Sequence, residues 1–322
     1  MPLTEFELIR RFFTYPARHA VLGVGDDAAL VRARPGFELV ITTDMLVAGR
    51  HFHQGADAER LGHKALAVNL SDIAAMGATP RWATLALALP QADARWLTAF
   101  SRGFMRLARR HGVDLVGGDT TRGPLNICVQ VVGEVPRGRA LRRDGARAGE
   151  DVWVSGTLGD AALALAAGRL GLASRDRRAL RLKLDVPAPR VGLGIALRGI
   201  ARSAIDVSDG LIADLGHICE RSSVAAVVDF ARIPASATLK QHLHRPAARL
   251  ALLAGGDDYE LIFTAGRARR EAIARISRRL RLRLTRIGRM TRRGRGAPLV
   301  TVLDAAGRPI TVTGGGYEHF RN

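Results

Sequence analysis

The sequence predicts a mixed α/β protein built from two α/β domains, and three observations carry that reading. Apolar runs with strand-like alternation and segments with helical spacing follow one another in both halves of the chain. A stretch rich in Gly and Arg, PRGRALRRDGARAGE at 136–150, separates the halves and reads as a linker. The length, 322 residues, accommodates two cores of ordinary size. The boundary falls at 137/138, giving domains 1–137 and 138–322.

Taken in order, residues 4–13 place Thr4 and Glu7 at capping-box spacing and Phe6, Ile9 and Phe13 on one face, which predicts a short amphipathic helix. Strands are predicted over 27–31 and 38–43, then a helix over 57–76 stopped by Gly77. RWATLALAL, DLVGG and LNICVQVVGEV read as strands, with a helix over about 93–110 between the first two. In the second half DVWVSG predicts a strand and LGDAALALAAG a helix of small residues. After Pro187 and Pro189 come a helix to about 202, the turn IDVSDG, a helix over 209–221 and the strand VAAVVDF. In 266–296, Ala272, Ile273, Ile276 and Leu280 keep helical spacing and Leu282 alternates with Leu284, so this segment is a helix and a strand covered in arginine.

Composition narrows the function classes. Hydrophobic residues make up 47% and charged ones 25%, a globular composition rather than a disordered one. No apolar run reaches the length of a membrane span, and the start, MPLTEFELIRRFFT, lacks the pattern of a leader, so the expectation is a cytoplasmic protein with no membrane partner. Cys128 and Cys219 sit among apolar neighbours and read as small core residues. The net charge of +19 suggests a polyanionic partner, yet all but three of the 49 basic residues are Arg, as in a compositional bias of solvated surfaces. No aromatic residue lies in the Arg-rich 266–296, which removes the stacking platform of a single-strand binder, so no specific nucleic acid is expected.

Aspartates next to glycines and hydroxyls recur: GVGDDAAL, TTDML, NLSDIAAMG, VGGDTT, IDVSDG and GGDDYEL. One such Asp is a turn former or helix cap; six need a further reason. Asp27 precedes a predicted strand, Asp44 and Asp119 follow strands, Asp206 follows an apolar stretch, Asp209 starts a helix and Asp72 lies inside an apolar one. Carboxylates gathered at strand ends repel one another by several kcal/mol, so a positive group belongs among them. Arg could supply it, and Mg²⁺ better: the clusters offer only oxygen, with Thr42, Thr43 and Asp44 in one and Asp206, Ser208 and Asp209 in another. No Cys or His pair has zinc spacing. Gly117 and Gly118 are either a plain turn or a place where amides approach phosphate. Arg143 is a candidate phosphate clamp, and His51, seven residues after Asp44, either an acid/base or phosphate group or a structural histidine.

Two decoys fall away. GVGDDA fits a dinucleotide fingerprint, but ALVRARPG is too short for the helix that fingerprint requires, and no P-loop motif is present. Ser155 and Ser208 lack a nucleophile-elbow context, so no protein nucleophile is expected.

Together GVGDDAAL, TTDMLVAGRHF, KALAVNLSDIAAMGATPRW, GGDTTRGPL, AIDVSDGLIADLGHI, GGDDYEL and GYEHF, spanning residues 23–320, resemble the thiamine-monophosphate kinase family. Its fold superfamily also holds aminoimidazole ribonucleotide synthetase and selenophosphate synthetase. The resemblance implies ATP-dependent phosphorylation of thiamine monophosphate to thiamine diphosphate by direct in-line transfer, with several Mg²⁺ ions. It implies metal ligation by Asp27, Thr42, Thr43, Asp44, Asp72, Asp119, Asp206 and Asp209; ATP contacts from Gly118, Asp119, Arg143 and Ser208; and substrate contacts from His51, Asp257 and Tyr317. It also implies a homodimer joined through strands of the N-terminal domain, with the C-terminal domain closing over the site. The family usually reads Gly-Gly-Glu-Asp where this chain has Asp257 in place of the Glu. The alternatives are another ATP-dependent enzyme of the superfamily acting on a small acceptor, and a basic nucleic-acid-binding protein.

Overall fold

The structure, a computed structural model, describes residues 4–311. Two units emerge: one holds the chain to Ile73 and Ala78–Gly138, the other Ala74–Gly77 and the chain from Arg139.

The first unit begins with α1 (Glu5–Phe12), whose capping box forms: Glu7 N–H donates to Thr4 Oγ1 at 3.3 Å and Thr4 N–H to Glu7 Oε2 at 2.9 Å. The ribbon β1 (Ala20–Leu22) and β2 (Leu30–Val31) follows. Next come β3 (Phe37–Val47), α2 (Ala58–Ala75), β4 (Thr79–Leu89), α3 (Ala94–His111), β5 (Asp114–Arg122) and β6 (Asn126–Pro136). Four strands form one sheet in the order β3-β6-β4-β5, antiparallel except for the parallel β4/β5 pair that α3 connects. Register puts Leu46, Ile127, Val129, Leu85 and Leu87 on one buried face, against which Ile73 of α2 packs near Gly133. The opposite face shows Leu39, Ile41 and Met45 to solvent.

Helix α2 has no polar face. Every residue from Leu61 to Ser71 is buried, as for a helix packed on all sides. Its contact with α3 is tight enough to exclude a β-carbon on either side. A Cβ at Gly62 would stand 2.1 Å from the Phe100 carbonyl oxygen, and one at Gly103 1.8 Å from that of Glu59.

The second unit comprises β7 (Asp151–Ser155), α4 (Asp160–Ala166), α5 (Ser174–Asp185), α6 (Val191–Leu197), β8 (Ser203–Asp206), α7 (Leu211–Arg221) and β9 (Val224–Asp229). It continues with α8 (Ala237–His242), α9 (Pro246–Ala254), β10 (Leu261–Ala265), α10 (Arg270–Leu280), β11 (Leu284–Arg292) and β12 (Val300–Leu303). Its six-stranded sheet runs β12-β9-β11-β7-β10-β8, antiparallel except for β12/β9. Val152, Val154, Ile205, Ile262 and Ile287 meet Leu211, Leu215 and Ile218 of α7, Leu163 of α4 and Leu252 of α9 in one core.

The structure moves several expected boundaries. The strand expected at 27–31 shrinks to Leu30–Val31, because both residues are exposed and pair only with a three-residue partner. The strand expected at 38–43 runs on to Val47, because β6 offers a partner at every position. Asp44 therefore lies inside a strand. Likewise β5 continues through Gly117 and Gly118 to Arg122, so these glycines form no turn and Asp119 does not follow the strand. Gly118 is there because a Cβ would lie 1.9 Å from the Leu85 carbonyl oxygen of β4. The helix expected to reach 202 ends at Leu197, and α5, which buries only Leu180 and Leu184, had no broad apolar stripe to announce it. Cys219 is buried in the core, but Cys128 is half-buried, lying across from Met45 and Ala86 on the other face of the first sheet. Among the described residues no helix is long and apolar enough to cross a membrane.

The glycine contact sets the sign of a substitution. Gly103→Ala raises helix propensity by about 1 kcal/mol, yet it forces a methyl into the Glu59 carbonyl. We expect a net loss of about 1–3 kcal/mol, read by urea denaturation; unchanged or increased stability would contradict the packing.

Candidate active site

In the first unit, the pleat of β3 turns Thr42 and Asp44 toward α2, because both pair with the buried-face residues Val131 and Val129. Asp72, on α2, receives a hydrogen bond from Thr42 Oγ1. These three residues form one oxygen cluster at the interface of strand and helix. One helical turn before Asp72, Asn69 donates through Nδ2 to the Ala65 carbonyl at 3.2 Å, while its buried Oδ1 has no partner among the described residues.

The electrostatics of this cluster are unbalanced. Burial, and then the charge of Asp72, push the Asp44 carboxyl up from 3.8 to about 7. Both causes raise Asp44, so its carboxyl favours a bound proton or a metal ion at neutral pH. The donors are all oxygen, which fits Mg²⁺. The other carboxylates of the first unit stand less close: among the described residues no group of three or more His, Cys, Asp or Glu side chains is arranged to hold an ion. Asp27 is exposed in a bend, its N–H donating to Asp26 Oδ1 at 2.8 Å. Asp119 is exposed on β5 opposite Ala86, and Thr43 faces away from Thr42, with Gln130 Nε2 donating to its hydroxyl at 3.4 Å.

His51 serves the end of β3. Its Nδ1 accepts the Val47 N–H at 3.0 Å, and its own N–H returns to the Val47 carbonyl at 3.0 Å. That bond places the ring proton on Nε2 in the neutral form.

In the second unit, Asp206 ends β8 and is buried, and the chain turns at Ser208–Gly210 into α7. The segment 255–260 folds against this turn: Asp257 N–H donates to the Ser208 carbonyl at 2.9 Å, and Tyr259 N–H to that of Val207 at 2.8 Å. Asp257 and Tyr259 hold positive φ angles of 66° and 52°, a costly backbone state for residues with side chains. The Tyr259 hydroxyl donates to Asp257 Oδ1 at 2.8 Å and fixes that carboxylate. A Cβ at Gly256 would stand 2.0 Å from the Ser208 carbonyl oxygen, which accounts for one glycine of GGDDYEL. Arg143 is exposed, and its carbonyl accepts the Ser222 hydroxyl at 2.8 Å. Tyr317 lies outside the described residues.

Sequence reasoning passed over three carboxylates here. Asp214 accepts the backbone N–H groups of the Ser208–Gly210 turn; burial, then the charge of Asp209, push it up to about 7. Asp258 accepts the Gly159 N–H at 2.7 Å, and desolvation raises its carboxyl well above the usual range. Glu260 is held by Arg190 and by the Ser155 hydroxyl at 2.5 Å. The only signal for Asp214 was an acid in the first turn of a helix that follows a Ser-Asp-Gly turn.

Comparison with known proteins bears on both units. Residues 25–135 match the AIR synthase related protein N-terminal domain, and 147–301 match the corresponding C-terminal domain. The chain is 44% identical over 326 residues to the thiamine-monophosphate kinase of Escherichia coli (strain K12), covering 99% of each chain. The crystal structure of thiamine-monophosphate kinase from Stenotrophomonas maltophilia K279a has a TM-score of 0.86 at 50% identity, covering 94% of this chain and 97% of that one. AaThiL complexed with AMPPCP and TMP has a TM-score of 0.77 at 32% identity, covering 92% of each chain.

The Asp44 environment predicts a pH dependence in metal-free protein. Asp44 binds its proton more tightly folded than unfolded, so its stabilising contribution is complete below about 3.8 and is lost as pH rises through about 7. Asp44→Asn in chelator is therefore expected to stabilise the protein at pH 8, on the order of 2–4 kcal/mol, and to leave it unchanged near pH 4. Urea titrations at the two pH values measure the difference; an equal effect at both would remove the charge repulsion as its cause.

Proposed function

This chain belongs to the AIR synthase related family, in its thiamine-monophosphate kinase branch, and from that premise we propose that it transfers the γ-phosphoryl group of ATP to thiamine monophosphate, giving thiamine diphosphate. The observation that carries the reading is full-length similarity to thiamine-monophosphate kinases, including a structural relative bound to AMPPCP and TMP.

The chemistry suits the residues. The acceptor is an anionic phosphate and needs no protein base to activate it; the protein must bring two polyanions end to end and exclude water. We assign Thr42, Asp44 and Asp72, with Asp27, Thr43 and Asp119, to holding magnesium in the first unit, and Asp206 and Asp209 in the second. When bound, Mg²⁺ supplies the positive charge that offsets repulsion between the two phosphate chains. Gly118 presents backbone without a side chain, and with Asp119, Arg143 and Ser208 it is assigned to ATP. His51, Asp257 and Tyr317 are assigned to the thiamine substrate. The pinned Asp257 carboxylate keeps the charge of the family's usual Glu on a shorter arm, oriented by Tyr259. A cytoplasmic location goes with these substrates, and both cysteines are free thiols.

A homodimer is part of the proposal, and the exposed face of the first sheet supports it. β3 is an edge strand of 11 residues whose Leu39, Ile41 and Met45 are 44%, 61% and 53% exposed. A long apolar edge strand of this kind pairs or aggregates unless another chain covers it.

Two predictions test the reading. With thiamine monophosphate as sole acceptor, coupled ADP release should require Mg²⁺, and Asp72→Asn or Asp119→Asn should lower turnover by roughly 10²–10³-fold while circular dichroism stays native. Turnover near that of the unaltered protein in either variant would refute its metal role. The double substitution I41D/M45D should shift sedimentation from dimer to monomer; a dimer that survives it is built on another face.

A further inference from the structure

The turn Ser208–Gly210 carries two of the side chains assigned above, and its backbone is held from behind by Asp214. One oxygen, Asp214 Oδ2, accepts the N–H of Ser208 at 3.2 Å, of Asp209 at 3.1 Å and of Gly210 at 3.0 Å. The residue is 2% exposed, and its own N–H returns to the Gly210 carbonyl at 2.9 Å. Aiming three consecutive N–H groups at one point fixes three peptide planes together. Gly210 makes this possible with φ of 116°, on a path where a Cβ would stand 2.6 Å from the carbonyl carbon of Ala254.

This arrangement changes what the start of α7 can do. Free N–H groups at a helix start ordinarily receive phosphate. Here the N–H groups of residues 208–210, in the turn that leads into α7, are committed to one internal carboxyl oxygen, and a phosphate could use them only by displacing it. The other polar groups of the turn are the Ser208 hydroxyl and the Asp209 carboxylate, on two half-buried residues.

We propose that Asp214 is a positioning residue of the phosphoryl transfer: it occupies the amides of the Ser208–Gly210 turn and so makes the helix start a cation-facing turn, acting through its side chains, rather than a phosphate nest. This rests on the assignment of Asp209 to magnesium. Removing such an outer partner of a metal ligand weakens metal affinity or activity by about 10–100-fold.

Hydrogen exchange on the unaltered protein comes first. Amides 208–210 should be strongly protected, and exchange at the rate of an open loop overturns the proposal outright. Asp214→Ala should then speed exchange at those amides and raise the Mg²⁺ concentration for half-saturation, in direct binding titrations and in activity, by about 10–100-fold. Asp214→Asn keeps an acceptor oxygen in place and should restore most of both. A helix cap with no positioning role predicts something else: a lower melting temperature in Asp214→Ala, with Mg²⁺ half-saturation unchanged in the folded fraction. That result overturns the proposal. Asp209→Asn, measured in parallel, separates the two readings. If it is silent while Asp214→Ala is not, Asp209 loses its place as a ligand and the positioning of the turn stands; the reverse pattern overturns the positioning.

Discussion

The interaction on which the rest depends is the repulsion between Asp44 and Asp72 in a partly desolvated seam. A strand and a buried helix bring the two carboxylates together, and the Thr42 hydroxyl donates to Asp72. Keeping both charged without a cation costs several kcal/mol at a moderate effective dielectric. The fold tolerates this because the surrounding packing is paid for elsewhere: α2 is buried along eleven consecutive positions and locked to α3 at two glycines. Stability held in the helix pair allows destabilisation at the carboxylates, a trade typical of functional sites.

The second unit keeps its polar groups in place by backbone strain instead of helix burial. Asp257 and Tyr259 occupy left-handed conformations, and their N–H groups donate to the carbonyls of Ser208 and Val207 respectively. Each strained residue is over-determined by these bonds, by the Tyr259–Asp257 hydrogen bond and by the closeness of Gly256 to Ser208. Two motifs about fifty residues apart in sequence thus act as one surface. Substitution at Gly256 would move both.

How much of this was legible depended on whether the signal was local. The capping box at Thr4 and Glu7, the helix expected over about 93–110, and the helix-then-strand order of the Arg-rich segment all rest on neighbours in sequence, and each formed. Strand ends did not, because Asp and Gly are turn signals only where no partner strand continues. At Asp44 and Gly118 the ladder continued, so those residues sit inside strands. The recurrence of aspartates singled out these segments, and of their residues Thr42, Asp44 and Asp72 come together. Asp214 gave almost no signal, since an acid in the first turn of a helix is common and its three bonds depend on the path of the preceding turn.

The placement of arginine divides the carboxylates into two groups. Glu134 and Asp151 are buried, and desolvation would raise both. Yet Arg34 and Arg81 hold Glu134 below the usual range, and Arg270 with Arg286 does the same for Asp151. Glu260 has Arg190. Asp44, Asp214 and Asp258 are raised, and no Arg or Lys lowers any of them. In a chain with a net charge of +19 that difference is not a shortage of cations. A fixed guanidinium beside Asp44 would settle its charge permanently and leave nothing for a metal ion to neutralise, whereas an uncompensated carboxylate gains most from a cation that arrives with its substrate. These raised carboxylates lie in the motifs shared with the kinase family: Asp44 in TTDMLVAGRHF, Asp214 in AIDVSDGLIADLGHI and Asp258 in GGDDYEL.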